Sequence, residues 1–472
     1  MTVPYRGFIV ALLAVAVIAA AAACSGSPGQ ARGTAAPSAP ASASSRSPVA
    51  PTVQVPAGWS ATPLAVPGGE GDGALSRPHT LIVPAGWTAR VWARVPDARM
   101  EAWTPGGALL VSDPHGGKIM ELQPGAGTAA VTTLLAGLTY PQGMAFARLD
   151  GKWVLYVAES DQIDRYPWGA GGISGGRTVI AARLPDLDPH GDDVHRAKDV
   201  TGAADGTVYF NVGSSSNASP GDRAMSPQRA VIMAVSPDGT DLRVVERGVR
   251  NGEGLAMAPD GTVWTAVNER DNIPYPSHGP YGTYSDAFGQ VIQGYVNNHP
   301  PDEVVPVTAA RDLGWPYCDP DQDDSHPAGS LADVPLVPNA ATNPGQNELD
   351  CAALPPVEVG LPAHSAPLGM TFLDDSKIPA PWSGGAVIAT HGSWDRQPPQ
   401  APAVLWLAWN ASQGKLEPAV TLVGGFDNSD GSFWGRPVDA APGPDGALYV
   451  SDDTAGAIYR LAPRPSGGGQ DS

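Results

Sequence analysis

The sequence predicts an all-β chain folded as a six-bladed β-propeller, and three observations carry that reading. The chain is rich in turn formers, with 57 Gly and 50 Pro, and shows almost no sustained helical periodicity. A strand–turn–strand unit recurs six times between about Leu81 and Pro463. Finally, Gly107–Leu122 (GALLVSDPHGGKIMEL) is nearly repeated, far later, by Gly446–Leu461 (GALYVSDDTAGAIYRL). A unit this small cannot bury both faces alone, so copies must pack against one another. Two separate β-sandwiches would also be all-β, but would leave that match unexplained.

Taken in order, residues 1–24 read as a signal peptide. Arg6 precedes the apolar run Phe8–Ala23, and Ala21-Ala22-Ala23-Cys24 resembles a lipobox. Ordinary secretory cleavage at the Ala run is the alternative. Residues 25–80 are rich in Pro, Ser and Ala and read as a tether. Residues 81–463 form the propeller, and 464–472 a short tail. The expected location is therefore outside the cytoplasm, as an outward-facing membrane lipoprotein or a secreted protein, touching membrane only through the N-terminal anchor. Cys318 and Cys351 then remain as a pair, and an exported chain favours a disulfide between them. The absence of a CxxC or nearby paired His speaks against zinc. The formal net charge of −19 repels phosphate backbones, which argues against nucleic acid as a partner but leaves neutral sugars open.

The second strands of the six units are Ala108–Ser112, Val154–Ala158, Thr207–Val212, Thr262–Val267, Ala386–Thr390 and Ala447–Ser451. Gly-containing turns such as Asp205-Gly206, Asp260-Gly261 and Asp445-Gly446 precede them and read as scaffold. Naming the strands of each blade A to D from the channel outward puts these A–B turns on the bottom face. The D–A and B–C loops then gather on the top face. The D–A lead-ins carry Arg99, Gln142, His195, Arg250-Asn251, His364 and Arg436; the B–C loops carry His115, Asn217, Asn268–Asp271 and His391–Arg396. Polar groups converging on one funnel form the default active site.

The chemistry of these residues is specific. A His titrates near neutrality and can take a proton from a substrate hydroxyl, which nominates His195. Arg forks pair with carboxylates, so Arg250 and Arg436 at one mouth suggest a polycarboxylate ligand. Each also has a plainer role: an Arg can cap carbonyls of a neighbouring blade, and Asn251 can cap a turn. Asp192-Asp193 and the Asp319–Asp324 run read as solvated loop charges. Trp315, Trp394 and Trp434 could stack on sugar, but each taken singly reads as packing. Asn217-Ala218-Ser219 is a glycosylation triplet in a host that modifies it.

These motifs in order resemble one family. His195 precedes Lys198 and DGTVYFNVGSSSN; then come RGVRNGEGLAMAPDG, LGWPYC, PAHSAPLGMTF, HGSWDR and GRPVDAAPGPDGALYVSDDTAGAIYRL. The set resembles the glucose/sorbosone dehydrogenase family, which includes soluble quinoprotein sugar dehydrogenases and fungal pyranose dehydrogenase domains. The resemblance implies a propeller that binds pyrroloquinoline quinone (PQQ) and calcium on its top face and oxidises a sugar or polyol, passing electrons to an extracytoplasmic acceptor. It makes His195 the base and sets Arg250 and Asn251 against the quinone. Arg436 corresponds to the first of two Arg that hold cofactor carboxylates. Gln142 falls on the cofactor side, and Arg396 is the candidate for a quinone-holding Lys. The loop Asn268–Asp271 corresponds to the calcium loop, giving Glu269, Arg270 and Asp271 as metal positions. The sequence departs from the pattern at Val438, where the second Arg would stand, and at Arg270-Asp271, where the loop lacks Gly-Pro. Two other functions compete: a carbohydrate-binding propeller with a decayed site, and a calcium-dependent lactonase, which would need a cage of inward acids that the sequence does not display.

Overall fold

The computed structural model describes residues 56–125, 127–186, 195–321, 331–374 and 376–464. The expected signal peptide with Cys24, most of the tether, Asp192-Asp193, Gln322–Asp324 and the tail beyond 464 lie outside the described residues.

Short β-branched and aliphatic runs between Gly turns fold into six antiparallel blades. Blade 1 runs Glu101–Trp103, Leu109–Asp113, Lys118–Gln123 and Ala130–Ala136. Blade 2 is built on Met144–Leu149, Lys152–Ala158, Gln162–Gly169 and Thr178–Ala182. Blade 3 follows with Val200–Gly202, Val208–Val212, Val231–Val235 and Arg243–Arg247. Blade 4 uses Leu255–Met257, Val263–Val267, Asp302–Pro306 and Val357–Leu361. Blade 5 uses Pro367–Phe372, Ala386–Thr390, Ala403–Leu407 and Val420–Val423. Each expected second strand is present, its bounds shifted by at most two residues. The turns before the twin strands place Gly107 and Gly446 at φ +86° and +78°, where a side chain would strain the backbone.

Blade 6 closes the ring in a way the repeat did not anticipate. Pro437–Pro442, Leu448–Asp452 and Ala457–Pro463 come from the C-terminal end. Its fourth strand is Trp87–Arg94, laid antiparallel along Ala457–Pro463. The twin hairpins are neighbours across this closure. They meet through a shared core in which Trp92 and Trp103 set their ring edges against Tyr449, at 4.7 and 4.9 Å.

The tether also ends earlier than residue 80. Trp59–Ala65 is a strand, parallel to Trp87–Arg94, and Thr80–Pro84 pairs outside it. Trp59 donates its indole N–H to Leu422 O at 3.1 Å, and His79 stacks on Trp434 at 3.9 Å. Sparse apolar residues suffice here because each one docks on an existing blade rather than building a core.

Two excursions enlarge blade 4. One, between Val267 and Asp302, packs Tyr275, Tyr281 and Tyr295 around Ile273 and Val296. The other, between Pro306 and Val357, carries the Cys318–Cys351 disulfide, as expected, and a two-stranded ribbon of Cys318–Pro320 with Leu336–Pro338. Asp319 in this ribbon is buried, accepting from Asn339 Nδ2 at 2.7 Å, so it is no solvated charge.

Candidate active site

Top-face loops from blades 3 to 6 enclose a cavity of about 200 Å³. His195, Arg250, His364, His391 and Arg436 lie on its wall, with Asp271 and the exposed Trp394. A larger groove, about 970 Å³, lies against the A–B turns of blades 1 and 2. It gathers neither the histidines nor the convergent cations, so the smaller cavity is the candidate site.

His195 rides on a loop anchored by Lys198, whose buried ammonium donates to the carbonyls of Ser160, Pro185 and Arg196. Its own N–H donates to Ser214 O at 3.3 Å. The His195 Nδ1 to Ser214 Oγ distance is 2.8 Å, and Ser214 Oγ lies 2.8 Å from Ser216 O. The Ser214 hydroxyl has one proton, and the carbonyl can only accept it. The arrangement that satisfies both contacts has Nδ1–H donating to Ser214 Oγ, which puts the lone pair on Nε2. Burial, and then the nearby Arg250 charge, hold the imidazole well below its usual pKa, so it is neutral at neutral pH. Gly213 makes room for this pair: a Cβ there would meet His195 Cβ at 2.5 Å and Asn251 Oδ1 at 2.9 Å.

Arg250 is 1% exposed. It donates to the carbonyls of Asn217, Asn268 and Glu269 and to Asn217 Oδ1. Asn217 also donates to Asp271 O at 2.8 Å and accepts from Asp271 N at 2.9 Å. The glycosylation triplet is thus a structural clamp between the base-side loop and the 268–271 turn. Arg436 donates to the carbonyls of His391 and Gly392. Both arginines therefore fill the carbonyl-capping role and face the cavity as well. Asn251 donates to Glu253 Oε1 at 3.1 Å, while its buried Oδ1 accepts no hydrogen bond.

A polar belt joins the cavity wall at His391. Gln142 is fully buried and donates to Glu253 Oε2. Arg99 donates to Gln142 Oε1 at 3.2 Å, to Glu253 Oε2 at 3.4 Å and to Asp453 Oδ2 at 2.9 Å. Asp453 in turn pairs with His391 Nε2 at 2.9 Å. Its carboxyl is held well below the usual range: hydrogen bonding and charge from His391, then Arg99, overcome burial.

Several expected positions move. Gln142 is absent from the wall and lies buried in the belt between Arg99 and Glu253. Arg396 is not on the wall: it donates to Gln400 Oε1 at 2.8 Å, within its own loop, while its neighbour Asp395 is buried against the wall residue His364. Glu269 and Arg270 are buried and absent from the wall. Burial pushes the Glu269 carboxyl up to about 8, even with Arg250 near, and pushes Asp319 up to about 6, even with Arg270 near. Only Asp271 of that trio faces the cavity. Trp315 and Trp434 are buried packing, whereas Trp394 is 70% exposed. Further down the channel, Glu101, Asp199 and Asp439 do face inward, which the sequence did not reveal. Burial raises all three, Asp199 to about 7 and Asp439 to about 6.

Among the described residues, one cluster brings metal-ligating atoms within 4.8 Å of one another: Asp271, His364 and Asp395. The donor set of the cavity fits an anion opposite a cation. Arg250 and Arg436 bring positive charge to the side of the wall where His195 is neutral, and Asp271 and Asp395 bring negative charge to the other side. The residues thus fit a polycarboxylate quinone with a divalent metal.

A model of the family described as TrAA12-like matches residues 81–464. A pyrroloquinoline quinone-dependent pyranose dehydrogenase of Coprinopsis cinerea is 28% identical over 293 residues, covering 53% of this chain and 37% of that protein. A Borreliella burgdorferi protein described only as uncharacterized is 26% identical over 256 residues, covering 54% of this chain and 56% of its own length. The matches to these relatives thus span little more than half of their length, or less. Among solved structures, the holo PQQ domain of the Coprinopsis cinerea pyranose dehydrogenase superposes with TM-score 0.63 at 20% identity, covering 81% of this chain and 97% of that one. The calcium structure of the Trichoderma reesei family AA12 carbohydrate-active enzyme gives TM-score 0.64 at 19% identity, covering 81% and 97%. At these identities the two structures establish a shared fold.

Proposed function

Because the chain belongs to the TrAA12-like family of six-bladed propellers, homologous to PQQ-dependent sugar dehydrogenases, we propose that it is an exported PQQ- and calcium-dependent oxidoreductase acting on a hydroxyl of a sugar or polyol. The observation that carries this reading is the convergence of His195, Arg250 and Arg436 on one cavity. When bound, the quinone supplies a two-electron acceptor for the hydride of the carbinol carbon. His195 Nε2 receives the hydroxyl proton, with Nδ1–H held by Ser214 so that the ring cannot present the wrong nitrogen. Burial and the Arg250 charge keep the imidazole uncharged and ready to accept. Arg436 would hold a cofactor carboxylate, and Arg250 with Asn251 would stand against the quinone and polarise its reactive carbonyl. Calcium belongs at the Asp271 side. Trp394, exposed at the mouth, gives a pyranose ring a face to stack on. The disulfide supports an oxidising compartment, in keeping with export; acyl labelling of Cys24 tests the anchor.

Reconstitution of the purified full chain with PQQ and calcium tests the proposal. Dye-linked oxidation of an aldose is expected. His195→Ala should lower kcat by about 10²–10⁴-fold while an absorbance titration still shows quinone binding. Failure of the wild-type chain to bind PQQ at micromolar concentration sinks the reading.

The carbohydrate-binding alternative keeps one specific support, the exposed Trp394 beside arginines that already cap carbonyls. It predicts saturable glycan binding that ignores PQQ. The lactonase alternative has inward acids in the channel, but among the described residues their oxygens do not cluster at metal-ligating spacing.

A further inference from the structure

We propose that Asp271, His364 and Asp395 form a side-chain cation site selective for a first-row divalent metal, such as Mn²⁺ or Zn²⁺, over calcium. It rests on the reading above in placing a cation on the Asp271 wall and refines that reading: calcium becomes the weaker occupant of this site, loading it only in excess. The three residues come from separate loops. Asp271 lies in the B–C loop of blade 4, His364 in the lead-in to blade 5, and Asp395 in the B–C loop of blade 5.

The tautomer of His364 is the starting point. Its Nε2 lies 2.7 Å from Val296 O and 3.1 Å from His299 O. Carbonyls only accept, so Nε2 carries the proton. Nδ1 then faces Asp395 Oδ1 at 3.2 Å and Asp271 Oδ1 at 3.6 Å. Burial disfavours charge on the ring, but Asp271, Asp395 and Asp302 outweigh it and raise the imidazole above its usual pKa, so a proton on Nδ1 lies between the carboxylates until a metal displaces it and takes the three converging lone pairs.

The surroundings hold these atoms in place. Asp395 is 8% exposed; its Oδ2 accepts from Asn272 N at 3.1 Å, while the buried Oδ1 has no aligned donor and points at the cluster. Asn217 clamps the backbone of Asp271 at both its N–H and its carbonyl. The two carbonyls on His364 Nε2–H fix the ring and raise the basicity of Nδ1, as the outer partners of metal-bound imidazoles do.

The spacing and donor type select the ion. A metal about 2.1 Å from each donor sets neighbouring ligand atoms roughly 3.0–3.4 Å apart in octahedral or tetrahedral geometry. The 3.2 and 3.6 Å separations are close to that range. Calcium prefers six to eight oxygens at longer distances, and here one of three donors is nitrogen. The carbonyls of Asn268 and Glu269, which a calcium turn would offer, already accept from Arg250.

The test uses the full chain stripped by chelation, with neither quinone nor sugar present, so its outcome is separate from that of the dehydrogenase assay. Mn²⁺, Zn²⁺ and Ca²⁺ are titrated by calorimetry, with Mn²⁺ also followed by electron paramagnetic resonance. One Mn²⁺ or Zn²⁺ per chain is expected, with Kd at least about ten-fold below that of Ca²⁺. His364→Gln and Asp395→Asn should each weaken it about ten-fold or more. Asp271→Asn, at a half-buried position, gives the same readout should the buried variants fail to fold. Absence of 1:1 binding means an imidazolium fills the gap alone and overturns the proposal. So does tighter Ca²⁺ binding, or affinity unchanged in folded variants.

Discussion

Blades 1 and 6 contain nearly the same hairpin, yet one is scaffold and the other reaches the site. In a common register Ser112 matches Ser451, and each hydroxyl accepts the same kind of backbone N–H, from Met100 and Asp439 respectively. Asp113 and Asp452 match as well, and both cap the following loop through a 2.8 Å bond from a backbone N–H. The divergence comes one residue later. Blade 1 has Pro114, while blade 6 has Asp453, which reaches His391 and Arg99. The same register pairs Arg99 with Val438. The arginine missing from position 438 therefore has a repeat-equivalent in the neighbouring blade, linked to the cavity wall through Asp453 and His391. Repetition built the frame, and single substitutions at repeat-equivalent positions placed the charges.

The sharpest way to break this comparison is Arg99→Met. Arg99 joins Gln142, Glu253 and Asp453, so its loss strands two nearly buried acids. Removing one partner of such a network costs about 3–5 kcal/mol, read as a lower urea midpoint with unchanged slope. A loss under about 1 kcal/mol would show that the belt does not hold the blades. Val438→Arg in the same background should not rescue, because Val438 is fully buried in its own blade.

Asp453 separates the twins through pH. Its folded-state carboxyl lies below the ordinary Asp value, so it adds stability above about pH 4, the unfolded range. That stability is lost as pH falls from there toward the folded value. Asp453→Asn should therefore lower stability at neutral pH and flatten the acid limb of a stability–pH curve. Asp199, raised to about 7, acts in the opposite sense: its contribution is complete below about pH 4 and is lost as pH rises toward 7. An acid limb unchanged in Asp453→Asn would remove the role given to that residue.

Arg436→Met is milder for stability, about 1–2 kcal/mol, because its hydrogen bonds go to carbonyls that can turn to water. Its larger effect belongs to the proposed cofactor site, where quinone affinity should fall about ten-fold or more. Equal affinity in wild type and variant would leave Arg436 with its capping role alone.

How much of this was legible depends on range. The six second strands were readable from alternation and Gly turns because those signals are local. His195, Arg250 and Arg436 were readable because a propeller maps lead-ins to one face. Asp453 was hidden inside a repeat, where resemblance to blade 1 marked it as frame. The pairing of Asp395 with His364 was hidden because which of Asp395 and Arg396 is buried against that ring depends on the loop's path, not on composition. The strand Trp59–Ala65 was missed because its stability comes from blades distant in sequence. The acids Glu101, Asp199 and Asp439 look like isolated polar breaks in inner strands, and only closure of the ring brings them to one channel.

The finest test of the comparison asks whether the shared frame is energetically shared. Asp113 accepts from Gly116 N, and Asp452 from Ala455 N, in matching geometry. Deleting such a cap costs about 1 kcal/mol. Asp452 makes one bond more, accepting from the buried Tyr459 hydroxyl at 2.8 Å, and that donor would be stranded by the loss. Asp113→Ala should thus lower stability by about 1 kcal/mol, and Asp452→Ala by about 1 kcal/mol beyond that. Tyr459→Phe in the Asp452→Ala background should recover most of the difference, because no stranded hydroxyl remains. Equal losses in the two single variants, or no recovery in the double, would mean that the twin caps work by different physics despite their common sequence.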